Sequence, residues 1–386
     1  MSEIIFRDPL HLTEDLRILR DQLHRFVDNE VVPVGDAWEE QGYVPRPVLR
    51  QMGDLGFLGL RHPVDYGGGD LDALATVVLG EEMGRSSYGG FAACVTVHTD
   101  MASPHLVRYG TKAQKDKYLP AVIAGEKITA VGVTEPGAGS DVANMRTRAV
   151  RDGDHYVLNG AKMYITNGVY GDLFFIAART DAEVKPSRGI SMFIVEKGTP
   201  GFSVGRELKK HGWLSSDTAE LVFEDCRVPA ENLLGEENRG FYSIMGNFQT
   251  ERLSLAGQAL GASMRAIEIT LDWLKARKAF GGALWDNPAI RQRMAMAAAK
   301  VEAARQMTYH AAWLDANGED AVREISMVKA YSAETCSQVM YDCLQFHGGM
   351  GIMRECAIER MTRDSRVNPI GGGATEVMLE EVAKRL

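Results

Sequence analysis

Residues 240–276, GFYSIMGNFQTERLSLAGQALGASMRAIEITLDWLKA, decide the fold of this chain. Apolar side chains recur in this stretch at helical spacing, which predicts one amphipathic helix over 240–276. The predicted buried stripe comprises Phe241, Ile244, Phe248, Leu255, Ala259 and Ala262. Glu251 lies on the same stripe, and a carboxylate on a buried helix face is costly unless something satisfies or uses it. Glu251 is therefore a functional acid, or it pairs with a buried cation, or the stripe is misassigned.

The composition is typical of a soluble globular protein, because hydrophobic residues make up 45% of the 386 residues and charged residues 25%. This length suits two or three domains with sizeable cores. The formal net charge of −9 disfavours a nucleic-acid-binding protein, which usually presents a basic face.

Five cysteines are scattered along the chain without a CxxC pair: Cys94, Cys226, Cys336, Cys343 and Cys356. This pattern predicts free thiols in a reducing compartment, and the absence of HExxH spacing predicts no metal site. The N-terminus lacks the apolar core of a signal peptide, and no apolar run is long enough for a membrane span. We therefore expect a cytoplasmic location in a bacterium, or the mitochondrial matrix if a transit peptide had been removed.

The spacing of apolar residues changes twice along the chain, which predicts a helical region, then a region of strands, then a second helical region. Leu12, Leu16, Leu19, Leu23 and Phe26 predict a first helix ending before Pro33, and further helices are expected at 47–56, 71–87, 91–109 and 111–124. From Ile128 short strands suggest an antiparallel barrel or sandwich, with hairpin signals at 152–153, 159–160 and 167–168. Later helices are expected at 288–316, 319–346 and 374–385. The predicted domains are 1–127, 128–235 and 236–386.

Two glycine-rich segments are candidate ligand loops. Tyr66–Asp70, YGGGD, could cradle a phosphate, but a plain turn is favoured because no Lys-Ser/Thr follows it. Val133–Asp141, VTEPGAGSD, follows a strand; its glycines allow a ligand close to the backbone and its hydroxyls can hydrogen-bond a polar heterocycle or a phosphate. It is not a dinucleotide-binding fingerprint, because no GxGxxG leads into a helix.

Several motifs in order resemble those of the acyl-CoA dehydrogenase family: VTEPGAGSD, NGAKMYITNG, SDTAELVFEDCRVPAENLLGEENRGF, ARKAFGGALW, QFHGGMG and RDSRVNPIGGG. The resemblance covers nearly the whole chain. It implies a mainly α fold with a central β domain and a C-terminal four-helix bundle, FAD as cofactor, an acyl-CoA substrate, an electron-transfer flavoprotein partner, and a homodimer or homotetramer. The net charge of −9 argues against a nucleic-acid partner, and the lack of a long apolar run argues against a membrane partner.

The resemblance also assigns site residues. Val131, Val133, Thr134, Gly139 and Ser140 would line the flavin ring and the thioester end of the substrate, while Tyr164, Ile165 and Thr166 replace the family's Trp-Ile-Thr. Positions reaching the flavin's pyrophosphate and adenosine from a neighbouring subunit match Arg277, Phe280, Gln345, Gly348 and Gly349. Ala374 and Glu376 fall in the flavin-contacting C-terminal segment, and substrate contacts fall on Ser140, Gln249, Arg252, Gly371 and Gly372. Arg277 suits a pyrophosphate because its planar fork binds phosphate oxygens bidentately; the alternative interpretation is a solvated charge late in a helix. Arg252 resembles the family arginine that helps hold the CoA portion, or it could equally be a structural partner that keeps Glu251 ionised.

Three positions depart from the family pattern. Gly372 occupies the place of the catalytic glutamate of many members, Ala374 replaces a flavin-contacting threonine, and Pro288 replaces a glutamine. A subset similar to isovaleryl-CoA and long-chain acyl-CoA dehydrogenases carries the base on the middle helix in a Glu-Arg-Leu context, which here is Glu251-Arg252-Leu253. The resemblance therefore implies Glu251 as the base.

The implied reaction is α,β-dehydrogenation of an acyl-CoA thioester: Glu251 removes the α-proton and flavin N5 accepts the β-hydride, with the Gly372 N–H polarising the thioester. Less bulk at the glycine run predicts room for a branched or medium-to-long acyl chain, isovaleryl-like or citronellyl-like. The alternatives are an oxidase, a monooxygenase or a desulfinase on the same fold, or a non-catalytic DNA-binding relative.

Overall fold

The computed structural model describes residues 6–279 and 281–386, in which helices, strands and helices follow one another. The first helices are α1 (Glu14–Phe26), α2 (Gly35–Gln41), α3 (Arg46–Asp54), α4 (Ala73–Arg85), α5 (Gly89–Thr96), α6 (Ser103–Tyr109) and α7 (Lys112–Ile123). The helix predicted over 91–109 is divided, because a π-helical segment, Val97–Ala102, separates α5 from α6. Thr111 and Gln114 form the capping box of α7 that their spacing indicates.

The central region is one mixed sheet in the strand order β6-β7-β3-β2-β4-β5-β8, with β1 added to β4 in parallel. The strands are β1 (Thr129–Gly132), β2 (Arg148–Asp152), β3 (His155–Thr166), β4 (Leu173–Arg179), β5 (Ile190–Glu196), β6 (Phe202–Glu207), β7 (Thr218–Pro229) and β8 (Leu233–Leu234). β4 and β5 are buried along almost their whole length, so the sheet wraps its own apolar core.

Of the three hairpin signals, the Asp152-Gly153 turn joins antiparallel β2 and β3 as predicted. The prediction at Asn159-Gly160 is wrong, because β3 continues through both residues and bulges there against β7. Gly160 has φ +145°, and a Cβ on it would lie 2.7 Å from Thr147 Cα. The Asn167-Gly168 turn is no hairpin either, since β2 separates β3 from β4 in the sheet.

The C-terminal region is built from long helices. They are α8 (Gly240–Ala276), α9 (Pro288–Ala316), α10 (Val322–His347), α11 (Ala357–Ser365) and α12 (Thr375–Ala383), with a small ribbon, β9 (Lys278–Ala279) and β10 (Gly282–Ala283), after α8. The bounds of α8 are those predicted, whereas α11 was not predicted. α10 packs against α8, α9 and α12. Pro288 begins α9, where its missing N–H costs nothing.

α4 and α8 cross with their backbones in contact. Both helices carry two glycines four residues apart, Gly80 and Gly84 on α4 and Gly257 and Gly261 on α8. A Cβ would lie 2.1 Å from Gln258 O if placed on Gly84, and 1.9 Å from Glu81 O if placed on Gly261. No side chain fits between these helices, so the crossing requires glycine.

A buried ion pair fastens the same helix α4 to α9. Arg305 donates to both carboxylate oxygens of Glu81, at 2.7 and 3.1 Å, and the Tyr309 hydroxyl donates to Glu81 Oε2 at 2.9 Å. Such a pair contributes geometric specificity because its fork-to-fork bonds fix both side chains.

The described cysteines are all unpaired and buried. None of the described helices combines the length and the hydrophobicity needed to cross a bilayer. Among residues 6–279 and 281–386, no group of three or more His, Cys, Asp or Glu side chains is arranged to hold a metal ion.

Replacing Gly261 with alanine should lower the free energy of unfolding by about 1–3 kcal/mol, because the new methyl group overpacks the α4–α8 crossing. The matched control is Gly246→Ala on the same helix, whose Cβ would meet only the Tyr109 hydroxyl, at 3.1 Å. That change should leave stability unchanged or raise it by up to about 1 kcal/mol. Urea unfolding of both variants measures the difference, and equal stabilities would contradict the proposed role of the crossing.

Candidate active site

Glu251 lies in the middle of α8 and is 8% exposed. Burial raises the pKa of its carboxyl to about 7, opposed by a hydrogen bond from Asn247 and by the charge of Arg252. Among the described residues no Lys, Arg or His nitrogen lies within 4 Å of the carboxylate, so the buried-ion-pair interpretation fails. The carboxyl is instead poised to exchange a proton near neutral pH.

Asn247 is a site residue that the sequence analysis missed. Its Nδ2 donates to Glu251 Oε1 at 3.2 Å and to the carbonyls of Asp100 and Met101, at 3.2 and 2.9 Å. One amide therefore orients the carboxyl and ties α8 to the π-helical segment Val97–Ala102. The available signal was the four-residue spacing from Glu251, which places both side chains on one helix face.

The predicted stripe on α8 is only part of its buried surface. Ile244, Leu255 and Ala259 are buried as predicted, whereas Phe241, Phe248 and Ala262 are partly exposed. Residues 251–261 are buried without interruption, on every face of the helix. The middle of α8 is thus a core helix, and the amphipathic pattern describes only its ends.

An apolar cluster stands beside Glu251. Val97 and Met101 from the π-helical segment pack with Leu255, and Val131 and Trp213 border them. Gly372 adjoins this cluster with φ +63°, and a Cβ on it would lie 2.1 Å from Leu255 Cδ1. Leu255 therefore fills the space next to Gly372, which corrects the expectation that the glycine run leaves that space open.

Several buried polar atoms around Glu251 lack a hydrogen-bond partner in the part of the chain that the structure describes. They are Asn247 Oδ1, Gln249 Oε1 and Arg252 Nε. The Arg252 guanidinium lies 5.6 Å from the centroid of the Phe248 ring. Gly372 offers a backbone N–H that meets no acceptor among the described residues. Buried polar groups are normally paired, so the three buried atoms indicate a polar ligand at this place. Gly372 is exposed, and its N–H is free to meet such a ligand.

The loop Val133–Asp141 is anchored by a fully buried lysine. Lys162 Nζ donates to Glu135 Oε1 at 2.7 Å and to Val133 O at 3.2 Å. Burial lowers the pKa of Lys162 to about 8 although Glu135 opposes this. The Met163 N–H donates to Thr134 O at 2.9 Å, which holds the loop alongside the end of β3. The structure thereby brings the predicted residues 131–134 and 164–166 side by side.

Tyr164 has a strained backbone and an exposed ring. Its φ is +63° and it is 69% exposed, at a bulge between Lys162 and Ile165 in the pairing of β3 with β7. A non-glycine residue in the left-handed region costs free energy and tends to persist where function requires it. Ile165 is buried beneath it and Thr166 is half-buried.

Nothing within the chain requires glycine at positions 137 and 139. Neither has a positive φ, and a Cβ on either would meet nothing within 4 Å. Ser140 is exposed next to them. Since neither backbone strain nor packing requires glycine here, the open surface of this loop suits a bound ligand that approaches the backbone.

A second group of predicted residues lies at the far end of α8. The Arg277 guanidinium lies 5.9 Å from the centroid of the Trp273 ring, and Trp273 stacks on His347 and donates to Phe346 O. Exposed Gln345, Gly348 and Gly349 adjoin these residues, and Gly349 again is not required by packing or by its φ. Along the helix axis Arg277 stands about 39 Å from Glu251, so one chain does not bring the two groups into one pocket. Phe280 lies outside the described residues.

Other predicted positions fall around the C-terminal loop. Gly371 donates its N–H to Val367 O at 2.8 Å, Ala374 precedes α12 without a side-chain cap, and Glu376 is exposed in the first turn. The loop at 66–70 is a plain turn as favoured, because the N–H groups of Gly68, Gly69 and Asp70 bond to carbonyls of residues 59–63.

Comparison with known proteins matches the chain along almost its entire length. Three family models match: the N-terminal domain of acyl-CoA dehydrogenase at residues 13–126, its middle domain at 130–226 and its C-terminal domain at 238–386. Mitochondrial isovaleryl-CoA dehydrogenase of Pongo abelii is 40% identical over 95% of this chain and 87% of its own. Mitochondrial long-chain specific acyl-CoA dehydrogenase of Mus musculus is 39% identical over 96% and 86%. A caffeyl-CoA reductase–Etf complex subunit of Acetobacterium woodii is 37% identical over 95% and 97%.

Solved structures agree with these matches. A crystal structure of acyl-CoA dehydrogenase from Geobacillus kaustophilus superposes with a TM-score of 0.94 at 39% identity, covering 98% of this chain and 99% of that one. A structure described as the FAD complex of PigA superposes with a TM-score of 0.93 at 29% identity, covering 97% and 98%. The chain belongs to the acyl-CoA dehydrogenase family.

Proposed function

We propose that this protein dehydrogenates an acyl-CoA thioester between its α- and β-carbons, with Glu251 as the base that removes the α-proton. As a member of the acyl-CoA dehydrogenase family, the chain is an oxidoreductase. One observation carries the assignment of the base: Glu251 is buried in the middle of α8, its pKa is raised to about 7, and it has no cationic partner among the described residues.

The loop Val133–Asp141 and the end of β3 at residues 164–166 fit FAD as the cofactor. The open surface at Gly137 and Gly139 accepts a ligand against the backbone, and the exposed Tyr164 ring can stack on a planar heterocycle. When bound, FAD supplies a hydride acceptor, its N5 atom. The residues that would hold its ring are Val131, Val133, Thr134, Gly139, Ser140, Tyr164, Ile165 and Thr166, with Ala374 and Glu376 at the C-terminal segment.

Glu251 is suited to act as a base because its carboxyl is buried and held in one direction. Burial destabilises the carboxylate, which makes it a stronger base than an exposed glutamate, and the Asn247 amide fixes the direction of Oε1. Glu251 takes the proton from Cα, and the electrons of that C–H bond form the new double bond as hydride leaves Cβ.

The α-proton is acidified by donors to the thioester oxygen. The unused N–H of Gly372 adjoins the apolar cluster beside Glu251, so it is a suitable oxyanion donor. Gln249 and Arg252, three residues apart on α8, carry buried unpartnered atoms, and they are proposed to hold the CoA portion. Gly371 and Ser140 complete the proposed substrate contacts.

A branched or medium-to-long acyl chain is the proposed substrate class. The aliphatic cluster of Val97, Met101 and Leu255 offers an apolar lining. Two relatives are named for isovaleryl-CoA and for long-chain acyl-CoA. Apolar pockets discriminate by only about 1–3 kcal/mol per methylene, so a panel of thioesters must fix the chain length.

An electron-transfer flavoprotein is the proposed electron acceptor, since one relative is named as part of a complex with Etf. The proposed assembly is a homodimer or homotetramer. The separation of Arg277, Gln345, Gly348 and Gly349 from Glu251 supports it, because these exposed groups can reach only a cofactor seated on another copy.

Replacing Glu251 with glutamine should slow anaerobic flavin bleaching by about 10²–10⁴-fold, because the base is removed while shape and burial are kept. Stopped-flow mixing with butyryl-, isovaleryl-, citronellyl- and palmitoyl-CoA measures this and ranks the substrates. Glu268→Gln on the same helix, which removes a carboxylate that pairs with Arg85 of α4, is the matched control and should bleach at the wild-type rate. Equal bleaching in Glu251→Gln would show that another group is the base.

The pH profile of kcat/KM should rise with pH through about 7, because only the ionised form of Glu251 accepts a proton. Asn247→Ala should move this rise to higher pH, since the lost amide hydrogen bond favours the charged carboxylate. Steady-state rates with one thioester, measured over about 3.5 pH units from ~5.5 to ~9 so that the range spans the pKa, test both statements. A flat profile in the wild type would contradict the assignment.

Lys162→Met should destabilise the fold by about 3–5 kcal/mol, because it leaves the Glu135 carboxylate buried and unpaired. The loosened loop should also release FAD more readily, seen as loss of yellow colour on gel filtration. Lys117→Met, which removes an exposed lysine paired with Glu196, is the control and should keep its flavin. Full flavin retention in Lys162→Met would show that the loop does not contribute to cofactor binding.

A further inference from the structure

The Gly371–Gly373 loop between α11 and α12 carries the Gly372 N–H that is proposed to bind the thioester oxygen. Gly372 and Gly373 have φ of +63° and +104°, and three consecutive glycines carry no side chain to pack. Such a run has more conformational freedom than any other tripeptide. Something outside the run must hold it if the Gly372 N–H is to keep one direction.

Lys329 reaches this loop from α10. The residue is 1% exposed, and its Nζ donates to Asn368 O at 2.8 Å and, in a shorter contact, to Gly373 O. These two carbonyls bracket the loop, one before Gly371 and one directly after Gly372. The lysine thereby fixes both ends of the segment that carries the free N–H.

A lysine this deeply buried usually faces a carboxylate. Here, in the ranges that the structure describes, no Asp or Glu oxygen lies within 4 Å of Nζ, and the hydrogen bonds go to backbone carbonyls instead. Burial and the charge of Arg252 together lower the pKa of Lys329 to about 8, although the charge of Glu334 opposes this. An ion pair therefore does not account for this costly side chain, whereas the two carbonyl contacts do.

Other contacts hold the flanks of the loop but not its centre. The Gly371 N–H bonds to Val367 O, the Thr375 N–H bonds to Pro369 O, and the Thr375 hydroxyl donates to Glu334. A Cβ placed on Gly372 would meet only the Leu255 side chain. The Gly372 N–H lies between Gly371, held by Val367 O, and Gly373, held by Lys329, so its direction depends on both contacts.

We propose that Lys329 is a positioning residue for the reaction: it holds the triglycine loop so that the Gly372 N–H is preorganised toward the thioester oxygen. This inference rests on the proposed dehydrogenation. Preorganisation matters because a donor that must reorient contributes much less to charge stabilisation than one already in place. Lys329 acts through the backbone and does not touch the substrate.

The test is Lys329→Met in the FAD-loaded protein, which keeps length and apolar bulk but removes both hydrogen bonds. We expect kcat for thioester oxidation to fall about 10- to 100-fold while KM changes much less, because a misdirected oxyanion donor weakens the transition state. Infrared difference spectra of bound 2-enoyl-CoA carrying ¹³C at the thioester carbonyl supply a readout that general destabilisation would not move. The carbonyl band should shift to lower frequency in the wild type and shift less in Lys329→Met.

Met340→Ala is the stability-matched control. Met340 is fully buried on the same helix, about 16 Å further along its axis, and its truncation destabilises α10 without touching the loop. It should keep the wild-type carbonyl shift and kcat. Should Lys329→Met fail to fold, Lys329→Gln, whose amide can reach one carbonyl, should fold and show an intermediate shift.

The outcomes separate the two claims. A wild-type shift that Lys329→Met and Lys329→Gln reproduce in full would overturn the role of Lys329 and leave the dehydrogenation standing. A wild type that neither bleaches with any acyl-CoA nor shifts the carbonyl band would overturn both. A shift that is reduced in the Lys329 variants and kept in Met340→Ala supports the proposal.

Discussion

The contact of two helix backbones at the α4–α8 crossing is the constraint on which the rest of the structure depends. Glycines on both helices let the axes approach until a methyl group no longer fits, and the Glu81–Arg305 pair fastens α4 to α9. α8 is consequently enclosed on every face over 251–261. The raised pKa of Glu251 is therefore a tertiary property, since it exists only while the N-terminal helices cover α8.

The glycines of this chain fall into two physical classes. Gly84, Gly261 and Gly372 are required by close packing or by a positive φ, and substitution there disturbs the fold itself. Gly137, Gly139 and Gly349 have ordinary backbone angles and empty surroundings, so the isolated chain has no need of them. The second class lies only where a flavin nucleotide is proposed, which ties an otherwise unexplained choice of residue to a ligand.

Local signals in the sequence predicted much of this architecture. The helical period gave the bounds of α8, and the Thr111–Gln114 spacing gave the cap of α7. The Asn159-Gly160 signal failed because its turn potential is overridden by pairing with β7, where Asn159 exchanges hydrogen bonds with Asp225. α11 was missed although its buried Ile358, Met361 and Ser365 recur at helical spacing, so the signal was present but short. The π-helical segment Val97–Ala102 is buried at every position, so no periodicity marks it.

Site residues could be predicted from the sequence where their residue type is unusual for their position. Glu251 was visible as an acid among apolar neighbours, but Asn247 was not, because an asparagine on a helix is unremarkable until its partners across the interface are known. Likewise the filling of space beside Gly372 by Leu255 joins positions more than a hundred residues apart. Such couplings between distant positions cannot be derived from local periodicity.

The 37 residues of α8 place two proposed functions far apart along one helix. The helix carries the proposed base, and its last turn leads to Arg277, which is proposed to serve a nucleotide held by another copy. In the proposed assembly each subunit would complete its neighbour's binding site, so cofactor retention would be a collective property and dilution that separates subunits would also release flavin. The length of α8 would thus make the fraction of subunits that hold flavin depend on the protein concentration.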